Sequence, residues 1–90
     1  MDLLNIGAVT EGMLAGRRYT RRAWDNQGVF IFLVNGSNFV VNREPLLSIL
    51  GEGEQVTYRP HIDVRDADGA ISPWTASDDD LLAHDWHEVI

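Results

Sequence analysis

The chain contains no cysteine, so neither disulfides nor thiolate metal sites can staple its fold, and nothing in it argues for an oxidising compartment. It contains no lysine either: its seven basic residues are Arg17, Arg18, Arg21, Arg22, Arg43, Arg59 and Arg65. No apolar run approaches the roughly 18 residues of a membrane span, and the N-terminus lacks the basic start and long apolar stretch of a signal peptide. A soluble cytosolic protein without membrane contact is the expectation. With a formal net charge of −7, positive charge is too scarce to coat a nucleic-acid polymer, because such binding depends on neutralising phosphates. A local pocket for one small anion remains open, since the arginine fork binds phosphate or carboxylate bidentately. Codon bias toward arginine is the plainer explanation of the same composition.

Catalytic signatures are equally sparse. Gly51-Glu52-Gly53 lacks the spacing and the lysine of a phosphate-cradling loop, and Ser72 and Ser77 lack the glycine-flanked elbow of a hydrolase. His61, Asp63, His84 and His87 are the residue types that hold zinc, but no histidine pair has the four-residue helical spacing of a zinc protease. No cofactor and no metal are expected, and a hydrolase built on His61 and Asp63 is a minor reading.

Ninety residues make one domain, residues 1–90, which buries only about 60–65% of its unfolded surface and gains from association. Ile6, Val9, Met13 and Leu14 recur at helical spacing after Asn5, a candidate N-cap, with Gly16 as the stop. Tyr19 to Ala23 reads as a short strand leading into a turn over Asp25-Asn26-Gln27-Gly28, and Gly28 to Val34 as the strongest strand. Both faces of that strand are apolar: Phe30, Phe32 and Val34 on one, Val29, Ile31 and Leu33 on the other. One helix covers one face, so a partner subunit is the simplest cover for the second. Asn35-Gly36-Ser37 reads as a hairpin loop to a strand over Asn38–Val41, and Pro45–Leu50 as a helical turn ended by Gly51. Val56 to Arg65, Ala70 to Trp74 and Trp86 to Ile90 read as strands. Ser77 before three aspartates reads as a capping-box-like helix start. The layout is α+β: a small antiparallel sheet with one main N-terminal helix and a short C-terminal helix.

Two tryptophans stand among small and hydrogen-bonding residues, in Arg22-Ala23-Trp24-Asp25-Asn26 and Pro73-Trp74-Thr75-Ala76-Ser77-Asp78. An indole offered to a planar ligand needs polar partners that fix the ligand's orientation, and these settings suit that task. Trp86 looks structural. On the Val56–Arg65 strand, Arg59, His61, Asp63 and Arg65 alternate onto one face. That face either lines a pocket or is a solvated surface with cross-strand pairs.

The run from Arg22 to Val34, Val41-Asn42-Arg43-Glu44-Pro45-Leu46-Leu47, Tyr58-Arg59-Pro60-His61-Ile62-Asp63, Asp68-Gly69, Pro73-Trp74-Thr75-Ala76-Ser77 and Asp85-Trp86 together resemble a family of small phage and prophage proteins. That family includes the second Thoeris anti-defence protein, and the likeness spans nearly the whole chain. The resemblance implies a non-catalytic homotetramer in the host bacterial cytoplasm. Such proteins sequester intact cyclic ADP-ribose isomers made by TIR-domain immune sensors, and some also hold cyclic dinucleotides at a separate site. On that expectation, a base stacks on Trp24, Trp74 or Phe30. Arg59 and the helix start at Ser77 hold pyrophosphate. Asn26, Asp63 or Asp78 accept from ribose hydroxyls, while Asp25 and His61 complete the candidate site. The competing reading is an acidic protein-interaction inhibitor that mimics nucleic acid.

Overall fold

Asn5 opens the first helix, α1 (Ile6–Leu14), by accepting the Ala8 N–H on its side-chain oxygen at 3.0 Å, which satisfies one of the free donors of the first turn. The chain turns back at Gly16, whose φ of 88° is readily adopted only without a Cβ. In the computed structural model, which describes residues 3–90, β1 (Arg18–Arg21) follows and runs into a 3₁₀ turn at Arg22–Trp24. Then come β2 (Phe30–Val34), β3 (Ser37–Val40), α2 (Leu46–Leu50), β4 (Gln55–Tyr58) and β5 (His61–Arg65). The chain closes with β6 (Ile71–Pro73), α3 (Asp78–Leu82) and β7 (Trp86–Val89). The α+β class, the N-terminal helix and the short C-terminal helix are as the sequence predicts. Among the described residues, no helix is long and apolar enough to cross a membrane.

The strands form an antiparallel five-stranded sheet in the order β6-β5-β2-β1-β7 and a separate two-stranded sheet of β3 and β4. The register pairs Tyr19 with Ile31 and Ile31 with Val64, and these side chains share one face. There Tyr19 and Ile31 meet Val9 and Met13 of α1 and the fully buried Trp86. The opposite face carries Phe30, Phe32 and Val34, paired with Arg65, Asp63 and His61 respectively. Among the described residues no helix packs over it, and the three apolar side chains stay half-buried.

Two expectations are corrected. The segment after Asn35-Gly36 does not return along β2, because β1 and β5 already occupy both edges of that strand; β3 pairs with β4 instead. The predicted strand over Val56–Arg65 is cut at Arg59-Pro60, where proline supplies no N–H to a ladder. Together β3, β4 and α2 make an arm with Val41 as its own buried residue, and the molecule is elongated, 50 × 26 × 25 Å. The first strand also ends sooner than predicted, at Arg21 rather than Ala23.

Gly12 lies in α1 directly against the Tyr19 ring, and a Cβ there would overlap the Tyr19 hydroxyl. Alanine normally gains about 1 kcal/mol over glycine in a helix; here overpacking reverses the sign. Gly12→Ala is expected to destabilise the fold by about 1–3 kcal/mol, measured by denaturant unfolding.

Candidate functional site

Trp24 is placed by a polar clamp assembled from distant parts of the chain. Arg21, at the end of β1, donates from Nη1 to Asp80 Oδ1 at 2.9 Å and from Nε to Asp85 Oδ1 at 2.8 Å. The other Asp85 oxygen accepts the Ala23 N–H at 3.1 Å, and the Asp85 carbonyl accepts the Arg22 N–H at 2.9 Å. The 3₁₀ turn is thereby anchored to the segment just before β7. Asp80 also closes the α3 capping box with Ser77, and its carbonyl accepts the Trp86 indole N–H at 3.1 Å. The Arg21 guanidinium lies over both rings, 5.8 Å from the Trp24 centroid and 5.9 Å from that of Trp86, an arrangement favourable to a cation. The indoles of Trp24 and Trp86 meet edge to face, 5.2 Å apart.

After Trp24 the chain turns with Asn26 at φ 65° and Gly28 at φ 72°; asparagine is among the few side-chain-bearing residues that tolerate this region. The turn stands over a pocket of about 340 Å³ walled by Trp24, Asp25, Asn26 and Phe30, together with Thr20, Gly28, Val29, the β7 residues His87 to Val89, and Ile90 just after them. His87 Nε2 stands 3.6 Å from Asp25 Oδ1, while its buried Nδ1 has no hydrogen-bond partner among the described residues. The pocket thus combines two aromatic walls with an imidazole, an amide and two carboxylates, Asp25 and Glu88.

Not all the sequence candidates gather here. Arg59 and His61 line a separate cleft of about 230 Å³ where the arm joins the sheet, with Val34, Asn35 and Tyr58. His61 Nε2 lies 3.0 Å from Asp63 Oδ1, the expected outcome of two polar residues alternating on one strand face. Trp74 packs edge to face on the other side of Trp86, 6.1 Å between centroids, and is not part of the pocket wall. Ser77 is committed to its cap, and Asp78 is exposed in the first turn of α3. The polar setting of Trp74 is therefore explained by the helix start beside it, and that of Trp24 by both the clamp and the pocket. Among the described residues, no three histidine, aspartate or glutamate side chains gather as metal ligands do.

A family model for the Thoeris anti-defense 2-like domain matches residues 4–89. The chain belongs to that family. The match runs from just before α1 to the end of β7, so the clamp and all of the pocket wall but Ile90 lie inside the Thoeris anti-defense 2-like domain. A search of curated proteins finds no match. Sequence reasoning missed the polar contributors Thr20, His87 and Glu88, of which the first two are set directly opposite each other by β1–β7 pairing. Only the pairing of strands far apart in sequence reveals them.

Burial by itself raises the Asp85 carboxyl pKa, but the Arg21 hydrogen bond, the Ala23 N–H and the Arg21 charge outweigh it and hold the group below its ordinary value. Hydrogen bonding to Asp85 in turn raises the Arg21 guanidinium. A carboxyl lowered on folding stabilises the native state above its unfolded pKa of about 3.9, and that stabilisation is lost as pH falls through the folded value. Asp85→Asn is expected to cost about 2 kcal/mol at neutral pH, with the gap to the parent narrowing below about pH 4. Denaturant melts at several pH values measure this; a gap independent of pH would remove the clamp from the acid response.

Proposed function

We propose that the protein is a non-catalytic sponge that binds and sequesters a cyclic nucleotide immune signal, a cyclic ADP-ribose isomer from TIR-domain proteins or a cyclic dinucleotide, in the host bacterial cytoplasm. The observation that carries the reading is the pocket beneath the Trp24 turn, where Trp24 and Phe30 supply ring faces and Asp25, Asn26 and His87 supply polar atoms. A base requires the former and sugar hydroxyls the latter. Membership in an anti-defence family supports it independently. The pocket lies at the small end of the usual range of about 300–1,000 Å³, and the apolar outer sheet face beside it is uncovered. Both features support a homo-oligomer, a tetramer by resemblance, in which a second protomer completes the enclosure.

The acidic-mimic reading has less support. Asp80 and Asp85 are engaged by Arg21, and Asp63 is engaged by His61, which leaves fewer carboxylates free to imitate a row of phosphates.

Calorimetry with cyclic ADP-ribose isomers and cyclic dinucleotides, followed by heat release and analysis of the recovered ligand, tests the proposal. Binding with intact recovery is expected; no binding across the panel overturns it, and a hydrolysed product makes the protein an enzyme. Trp24→Ala is expected to weaken binding by about 1–3 kcal/mol through lost stacking. Trp74→Ala is expected to lower thermal stability while leaving the affinity of the folded protein near that of the parent.

A further inference from the structure

Arg18 on β1 and Arg65 on β5 both turn onto Phe30 of β2, their Cζ atoms lying 5.2 and 5.9 Å from the ring centroid. Since β1 and β5 are the two neighbours of β2, the guanidiniums approach the ring from both sides of its strand. Neither has a carboxylate within ion-pair distance among the described residues, although the chain carries 14 acidic residues against seven arginines. The carboxylate nearest in the β5 register, Asp63, is turned to His61 at 3.0 Å. Arg65 donates from Nη1 to the Gly28 carbonyl at 2.7 Å and, more weakly, to the Asp66 carbonyl at 3.4 Å, which fixes its fork at the foot of the Trp24 turn and leaves its other nitrogens free of hydrogen bonds among the described residues. Arg18 is exposed and makes no side-chain hydrogen bond among the described residues, so its donors are free. Among the described residues Arg22, Arg43 and Arg59 also lack ion pairs, but no ring brings two of them together.

Phe30 is also a shared wall. It lines the pocket beneath Trp24 and, on its other side, an apolar cleft of about 330 Å³ with Arg17, Arg18, Phe32, Leu33 and Ile71. We infer that Arg18 and Arg65 form a pyrophosphate-binding clamp across Phe30, so that a diphosphate-linked nucleotide enters with its base toward Trp24 and its phosphates on these two forks. Two like charges held near one ring repel each other, and a bridging dianion converts that repulsion into paired charge-assisted hydrogen bonds. The clamp replaces Arg59, which the arm holds in a different cleft, as the phosphate-reading group. Its identification with the immune signal rests on the sequestration reading; the pyrophosphate site itself does not.

The test follows the guanidinium Nε–H signals of isotopically labelled full-length protein by NMR during titration with sodium pyrophosphate, then ADP, then cyclic ADP-ribose. Pyrophosphate and ADP are expected to move Arg18 and Arg65 and to leave Arg59 in place. Arg18→Gln is expected to weaken each ligand by about tenfold to a hundredfold, and Arg59→Gln to change nothing. If neither pyrophosphate nor ADP moves the two signals, or if the loss appears in Arg59→Gln, the clamp is overturned. Pyrophosphate binding at Arg18 and Arg65 with no cyclic nucleotide binding would sustain the clamp and remove the sequestration reading. Cyclic ADP-ribose bound equally by the parent and by Arg18→Gln would do the reverse.

Discussion

The bifurcated grip of Arg21 on Asp80 and Asp85 is the interaction on which the rest of this small domain hangs. It joins the end of β1, the first turn of α3 and the residue before β7 at one cation. With both carboxylates further satisfied by backbone N–H groups of Ala23 and Ser77, the half-buried charges leave few unmet hydrogen bonds, the condition under which such pairs are tolerated. Trp86 is packed beneath the guanidinium, with Trp24 and Trp74 set edge-on against it. A chain without cysteine thus ties its C-terminal half to its N-terminal half through charge and indole packing.

Function is layered on this frame. Because the 3₁₀ turn is fixed from below by Asp85, Trp24 reaches the pocket as a rigid wall, and the residues after it, Asp25 and Asn26, are presented by the turn. The sheet contributes Phe30 and Thr20 from its uncovered face, and β7 contributes His87. A rigid aromatic wall with adaptable polar partners suits recognition of a fixed ring system. The whole frame, clamp and turn included, lies within the anti-defence domain to which the chain belongs.

Much of this was legible in the sequence where the cause is local. Asn5 and Ser77 announce their helices through the hydrogen bonds they make within three residues, and β2 declares itself by composition. What stayed hidden depends on distance. Asn35-Gly36 carries good hairpin chemistry, yet β2 has no free edge for β3 because β1 and β5 claim both sides. Arg21 and Asp85 are 64 positions apart, so nothing local to Trp24 announces that its turn is held from below by this pair. The break at Pro60 was there to be read from the missing N–H. The candidate site divided in the same way: Trp24, Asp25, Asn26 and Phe30, close in sequence, stay together, whereas Arg59 and His61 lie at the joint between arm and sheet and Trp74 packs with the core.

The borders of the five-stranded sheet have their own consequence. On one side β6 is three residues long and ends in Pro73; on the other, Leu4 pairs with Trp86 on β7, N–H to carbonyl at 2.7 and 3.2 Å. A short proline-bearing strand and a capped neighbour both discourage strand addition. Copies of this domain that meet through that sheet are therefore steered toward broadside contact, which brings its aromatic face, its arginines and the mouth of the pocket to the interface.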